Sequence, residues 1–225
     1  MTIIKNILYG TVILLIAIAL YMTFIYAPVE ATMGMVQKIF YFHVGAAFSG
    51  FLMFFLVFIC SIMYLAKKKE IYDIISISTA EIGVLLITLV LLMGILWAKP
   101  VWNVWWTWDP RLTTTFVLWL IYVAYLVLRS NLKESKEMPT YAAVFGIIGF
   151  LDVPMVFMSI RWWRTVHPIV ISRAAVSLEP AMLQTMIVTI IAMLALTMAL
   201  LFYRIRLERL KRQLEYYKNS LEIPA

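Results

Sequence analysis

The 225-residue chain has little charge, one cysteine and two histidines. Only 14% of its residues are Asp, Glu, Lys or Arg, whereas 64% are hydrophobic. Soluble domains carry about 25% charged and about 45–50% apolar residues. A water-soluble fold of this size could not hide so much apolar surface; a bilayer accepts it. Cys60 stands alone in an apolar run, which excludes an internal disulfide, a CxxC redox pair, a thiolate zinc site and the CxxCH signature of a c-type cytochrome. Internal repeats and low-complexity stretches are also missing, and nothing marks a second domain.

What is present is a set of long apolar runs, at about 7–27, 44–65, 77–98, 112–128, 141–160 and 181–203. Each matches the roughly 20 residues needed to cross a bilayer as a helix. The first run is too long for a typical signal-peptide core and no small-x-small cleavage site follows it, so it reads as a retained span. The expectation is an all-α, polytopic integral membrane protein of six transmembrane helices, forming a single membrane domain over residues 1–225.

The net charge of +7 matters less than where the cations lie. With the N-terminus inside, thirteen of the 19 cations fall on the inner side: Lys5, Lys67, Lys68, Lys69, Arg129, Lys133, Lys136, Arg204, Arg206, Arg209, Lys211, Arg212 and Lys218. Lys38, Lys99, Arg111, Arg161, Arg164 and Arg173 fall outside. The positive-inside rule therefore puts both termini in the cytoplasm. The tail 204–225 reads as a helical, cytoplasmic extension of the sixth span, either anchored at lipid headgroups or docked to a partner.

Tryptophan is confined to one side. Trp97, Trp102, Trp105, Trp106, Trp108, Trp162 and Trp163 all fall in outer segments, and only Trp119 lies within a span. An ordinary aromatic belt would decorate both interfaces. The central outer loop, 97–111, places five tryptophans within twelve residues. Indoles are broad, rigid planes with one donor each, and several together make a platform for a large flat ligand. Asp109 and Pro110 form an N-cap and first-turn pair that starts helix four. Arg111 opposes the helix dipole there; its partner could be Asp109, a lipid phosphate or a ligand carboxylate.

Both histidines flank this loop. His43 sits in Phe42-His43-Val44 at the outer start of helix two, and His167 follows Arg161-Trp162-Trp163-Arg164-Thr165-Val166. If helix five continues outward, Arg161, Arg164 and His167 share a stripe at three-residue spacing. Imidazoles are common axial ligands of haem iron. A pair of them, with aromatic planes and arginines for propionates, would together describe a haem site. Asp152 and Pro154 lie in the outer half of helix five, where Pro154 should free a carbonyl one turn back and kink the helix. An acid within a span is a functional candidate by default; Asp152 could face the site from below or pair with a neighbouring helix. Glu81 reads as structural, and the methionines as packing.

The stretch Trp97-Ala-Lys-Pro-Val-Trp-Asn-Val-Trp-Trp-Thr-Trp-Asp-Pro-Arg-Leu-Thr113 resembles the WWD domain of the haem-handling proteins of cytochrome c maturation. Six spans and one histidine on each side of the loop are similar to the CcmC family, from about residue 38 to the end of helix six. Asn103 stands where the family usually has glycine, and asparagine tolerates positive φ better than most residues. Pro110 stands where alanine is frequent.

The resemblance implies haem b held transiently at the outer face of a bacterial-type inner membrane, with His43 and His167 as axial ligands. Trp102, Trp105, Trp106, Trp108 and Asp109 would form the platform for haem and for the haem chaperone CcmE. Arg111, Arg161 or Arg164 would meet the propionates. CcmA, CcmB and CcmD are the further implied partners, in an ABC-type complex that releases the loaded chaperone. The protein would be a presenting scaffold more than a conventional catalyst. An electron-transfer protein of cytochrome b type would want more histidines, buried mid-span. A haem permease would want a polar or broken path through the bilayer, for which Asp152 and Pro154 are the only hint. A larger WWD relative, of CcmF or CcsA type, would have more spans.

Overall fold

A computed structural model describes residues 2–132, 135–168 and 178–221 of the chain. Lys133, Arg173, the side chain of Lys5 and the tail beyond 221, all used above, lie outside what it describes. The elements are α1 (Thr2–Tyr21), α2 (Ile39–Lys67), α3 (Glu70–Trp102), α4 (Pro110–Asn131), α5 (Met138–Phe150), α6 (Asp152–Trp162) and α7 (Pro180–Leu221). A π turn, Met22–Tyr26, prolongs α1, and a 3-10 turn, Met35–Lys38, leads into α2. Six helical stretches among the described residues are long and apolar enough to cross a membrane, α5 and α6 counting as one. The chain is an all-α, multi-pass membrane protein.

Helix α2 occupies the centre and packs on α3, α5 and α7; α1 lies against α7, and α4 against α3, α5 and α6. The sequence explains this centrality. Gly45, Ala46, Ser49 and Gly50 give α2 a face of small, buried residues, and small residues let membrane helices approach closely. A Cβ on Gly45 would lie 2.9 Å from Cγ of Met193 in α7, and one on Gly50 would lie 2.8 Å from Cδ1 of Ile87 in α3. Lower in the bundle the Phe54 and Tyr122 rings stack, with centroids 3.6 Å apart and planes 5° from parallel.

One end of the bundle is held by charge. Arg129 of α4 donates from both terminal nitrogens to the two oxygens of Asp73 on α3, at 2.7 and 2.9 Å. Arg212 of α7 reaches the same carboxylate at 2.6 Å and Glu70 at 3.1 Å. Arg204 pairs with Glu81 and, at 3.1 Å, with Glu208. Asp73 and Arg129 are buried. Their fork geometry and full pairing are what keep such burial from being prohibitive. Glu81 thus has a structural duty as expected, through a specific arginine partner.

The opposite end carries the tryptophans; here two expectations need correction, and the kink expected from Pro154 is present as a break. The loop expected at 97–111 begins later, because α3 runs on through Pro100 to Trp102. Asn103 ends the helix in a left-handed conformation, φ 60° and ψ 15°, and the Lys99 amine donates to its carbonyl at 3.2 Å. The fifth span is two helices, broken at Leu151. Pro154 has no N–H to give the Phe150 carbonyl, which is the physical cause of the break. Finally, α6 stops at Trp162 and Trp163 is extended, φ −123° and ψ 160°. Arg161, Arg164 and His167 therefore form no helical stripe.

Candidate functional site

The two histidines line one cavity. It has a volume of ≈ 360 Å³ and lies between α2, α3, α4, α6 and the first turns of α7, within the range usual for small-molecule sites. His43 enters from the second turn of α2 and lies beside Gly94 of α3, where a Cβ would be 3.5 Å from its Cε1. His167 comes from the loop after α6. The walls between them are mostly apolar, Phe40, Val44, Phe51, Val90, Ile95 and Ile190 among them, and Arg111 and Arg161 supply charge.

Tryptophans shape the rim. Trp97 and Trp102 meet edge to face at 5.0 Å, and Trp102 meets the His167 ring at 6.4 Å. Trp106 also lines the cavity and packs edge-on to both Trp108 and Phe116. The candidate residues divide here. His43, His167, Trp102, Trp106, Arg111 and Arg161 come together around the cavity. Trp105 and Trp108 are exposed outside its lining, Trp108 to 75%, and Arg164 also points to the surface.

Asp109 joins the two loops of the site. It is buried, and its Oδ1 accepts from the Arg111 amide at 2.9 Å, capping α4 with Pro110 at the first helical position. Its Oδ2 accepts from the Thr165 hydroxyl at 2.6 Å and from the Val166 amide at 2.9 Å. The Thr165 hydroxyl oxygen in turn accepts from the His167 amide at 2.9 Å. Sequence reasoning found the cap but missed Thr165. Its only sequence signal is its place two residues before a histidine, where Ser and Thr hydroxyls commonly bond the backbone two residues on.

Two polar atoms at the cavity lack a partner among the described residues: the Nδ1 of His167 and the Nε1–H of Trp106. Buried polar groups are nearly always satisfied, so these suit a ligand or waters with polar groups of their own. Burial lowers the His167 pKa to about 3; the Arg111 charge and His43 push it the same way, while Asp109 opposes them. His167 is thus a neutral imidazole at neutral pH, the form that binds a metal. The donor set therefore fits a haem: two imidazoles, flat aromatic edges, apolar walls and two guanidinium groups. Asp152 is not among the lining residues. It lies one turn from Val156 of the cavity wall, with Oδ2 buried and without a hydrogen-bond partner among the described residues.

Comparison with known proteins agrees with the sequence motif. The family model described as CcmC, "Heme exporter protein C", matches residues 1–220. A putative cytochrome c biosynthesis ccmC-like mitochondrial protein of Marchantia polymorpha is 32% identical over 179 residues, 79% of this chain and 76% of the relative. Heme exporter protein C of Bradyrhizobium diazoefficiens is 30% identical over 208 residues, 92% of this chain and 79% of the relative. The Escherichia coli protein of that name is 28% identical over 181 residues, 80% and 74% of the two chains. The chain belongs to the CcmC, or heme exporter protein C, family.

Proposed function

We propose that this protein holds haem b at the outer face of a cytoplasmic membrane and presents it for c-type cytochrome biogenesis. The observation that carries the reading is the convergence of the only two histidines on one tryptophan-rimmed, arginine-bearing cavity. Family membership supports haem as the ligand. The concentration of cations at the far end of the bundle supports an outward-facing tryptophan end.

His43 and His167 would hold the haem iron, Arg111 and Arg161 would meet the propionates, and Trp102 and Trp106 would offer it aromatic surface. Haem, when bound, supplies iron for ligation and a vinyl edge for covalent capture by an acceptor. The chain itself binds, orients and excludes water. Asp109, through Thr165, holds the His167 loop against the start of α4. Trp105 and Trp108 are exposed and suit the docking surface for the incoming chaperone, CcmE. CcmA, CcmB and CcmD are the partners this role requires for release. The protein works as a presenting scaffold.

Absorption spectra of the detergent-purified protein, oxidised and reduced, test the reading. A low-spin six-coordinate spectrum is expected, lost or converted in both His43→Ala and His167→Ala. Spectra unchanged in both variants overturn the assignment.

A further inference from the structure

Beyond the membrane-spanning part, α7 continues as an uninterrupted helix to Leu221. One face of this extension is fixed: Arg204, Glu208 and Arg212 are tied into the ion-pair network with Glu81, Asp73 and Glu70 of α3. The other face bears Leu207, Leu210, Leu214, Tyr217 and Leu221, between 52% and 81% exposed. Their spacing alternates three and four residues, which is the a/d seam of a coiled coil. The flanking e and g positions are Arg206, Lys211, Gln213, Lys218 and Ser220, three cations and no acid.

We propose that this seam is a docking site for one amphipathic helix of a protein partner whose own flanking positions are acidic. Charge decides among the occupants. A second copy would set Arg206 against Lys211 across a parallel seam, and an antiparallel one would bring the e-position cations Lys211 and Lys218 together; both arrangements contain a like-charged pair. A lipid surface would need the seam to lie flat. The network holds the helix along α3 as the continuation of a span, so the seam runs along the bundle axis. Glu or Asp at the partner's e and g positions would pair with Arg206, Lys211 and Lys218, which have no ion-pair partner among the described residues. The fifteen residues from Leu207 to Leu221 extend about 22 Å, enough for two heptads. The inference is independent of the haem reading.

The full-length protein in phosphatidylcholine nanodiscs provides the test. The probe is a fluorescent four-heptad peptide with Leu at a and d and Glu at e and g. It should bind with a salt-sensitive affinity, weakened at least tenfold by Leu210→Glu with Leu214→Glu and several-fold by Lys211→Glu with Lys218→Glu. The same peptide with Lys at e and g should not bind. Unaltered thermal unfolding of the variants confirms that they are folded. Equal binding by both peptides, or equal binding to wild type and both variants, overturns the proposal. So does a dimer by mass photometry that Leu210→Glu with Leu214→Glu dissolves, which makes a second copy the occupant. Quenching of bimane at Leu214→Cys by brominated lipid in phosphatidylglycerol nanodiscs makes the membrane the occupant, and overturns it equally.

Discussion

Asp109 and Thr165, 56 positions apart in sequence, share a 2.6 Å hydrogen bond that ties the start of α4 to the loop carrying His167. One carboxylate thereby caps a helix and fixes the approach of an imidazole. Asp109→Ala removes three accepted hydrogen bonds. Loss of an N-cap alone costs about 1 kcal/mol. The expected outcome is a lower thermal midpoint together with a weakened or altered low-spin haem spectrum. Asp109→Asn should keep the cap and part of the link, and so should lie between. Equal spectra for wild type and Asp109→Ala would show that the link does not position His167.

Thr165→Val isolates the second half of the relay. It removes the hydroxyl that donates to Asp109 and accepts from the His167 amide, while leaving the cap of α4 in place. Leaving a buried acceptor short of a donor costs about 1–3 kcal/mol. Haem retention during purification should fall, with less loss of thermal stability than in Asp109→Ala. Thr165→Ser should restore it.

The Asp73–Arg129–Arg212 cluster predicts an asymmetry between single and paired changes. Removing one member of a buried ion pair costs about 3–5 kcal/mol, because the other charge remains buried. Asp73→Asn alone, which leaves Arg129 buried without a carboxylate, should therefore lower the unfolding temperature in detergent strongly, whereas Arg129→Met leaves Asp73 paired with Arg212 and should cost less. Adding Arg129→Met to Asp73→Asn should recover much of the loss, since the buried guanidinium is then gone and Arg212 keeps Glu70 and Glu208. The comparison is made by intrinsic fluorescence during heating, and a double variant less stable than either single would contradict it.

Protonation of His167 gives a prediction with a definite sign. Its folded-state pKa lies at about 3, below the ordinary 6.5. Between those values the unfolded chain takes up a proton at this site that the folded protein refuses, so stability falls as pH drops through the window. Above pH 7 the contribution is flat. Measured on the haem-free protein, the difference in unfolding temperature between wild type and His167→Phe should shift against the wild type as pH falls from 7 to 4. It should not change between pH 7 and 8.

Much of the site was legible because its signals are local. Asp109 followed by Pro110 announces a helix start from two adjacent residues, and five indoles within twelve positions need no partner elsewhere to be noticed. Apolar runs likewise announce spans, because a bilayer tests length and hydropathy alone. The missed features depend on side-chain contacts that no single residue announces, some local and some between distant segments. Whether α3 ends at Trp97 or Trp102 turns on the ring contact between those two and on Lys99 reaching the Asn103 carbonyl. Whether α6 ends at Trp162 turns on Asp109 drawing Thr165 and Val166 out of helical register. Pro154 did foretell the break at Leu151, since the loss of one donor is written in the residue itself.

Helix α3 is 33 residues long, which is about 50 Å at 1.5 Å per residue, against a hydrocarbon layer of about 30 Å. It carries Asp73 at one end and Trp102 beside His167 at the other. The carboxylate that holds the two arginines and the indole rim of the cavity are thus carried by a single helix, with Pro100 near its Trp102 end. The ion-paired end and the indole rim therefore share one continuous helix, with no loop between them.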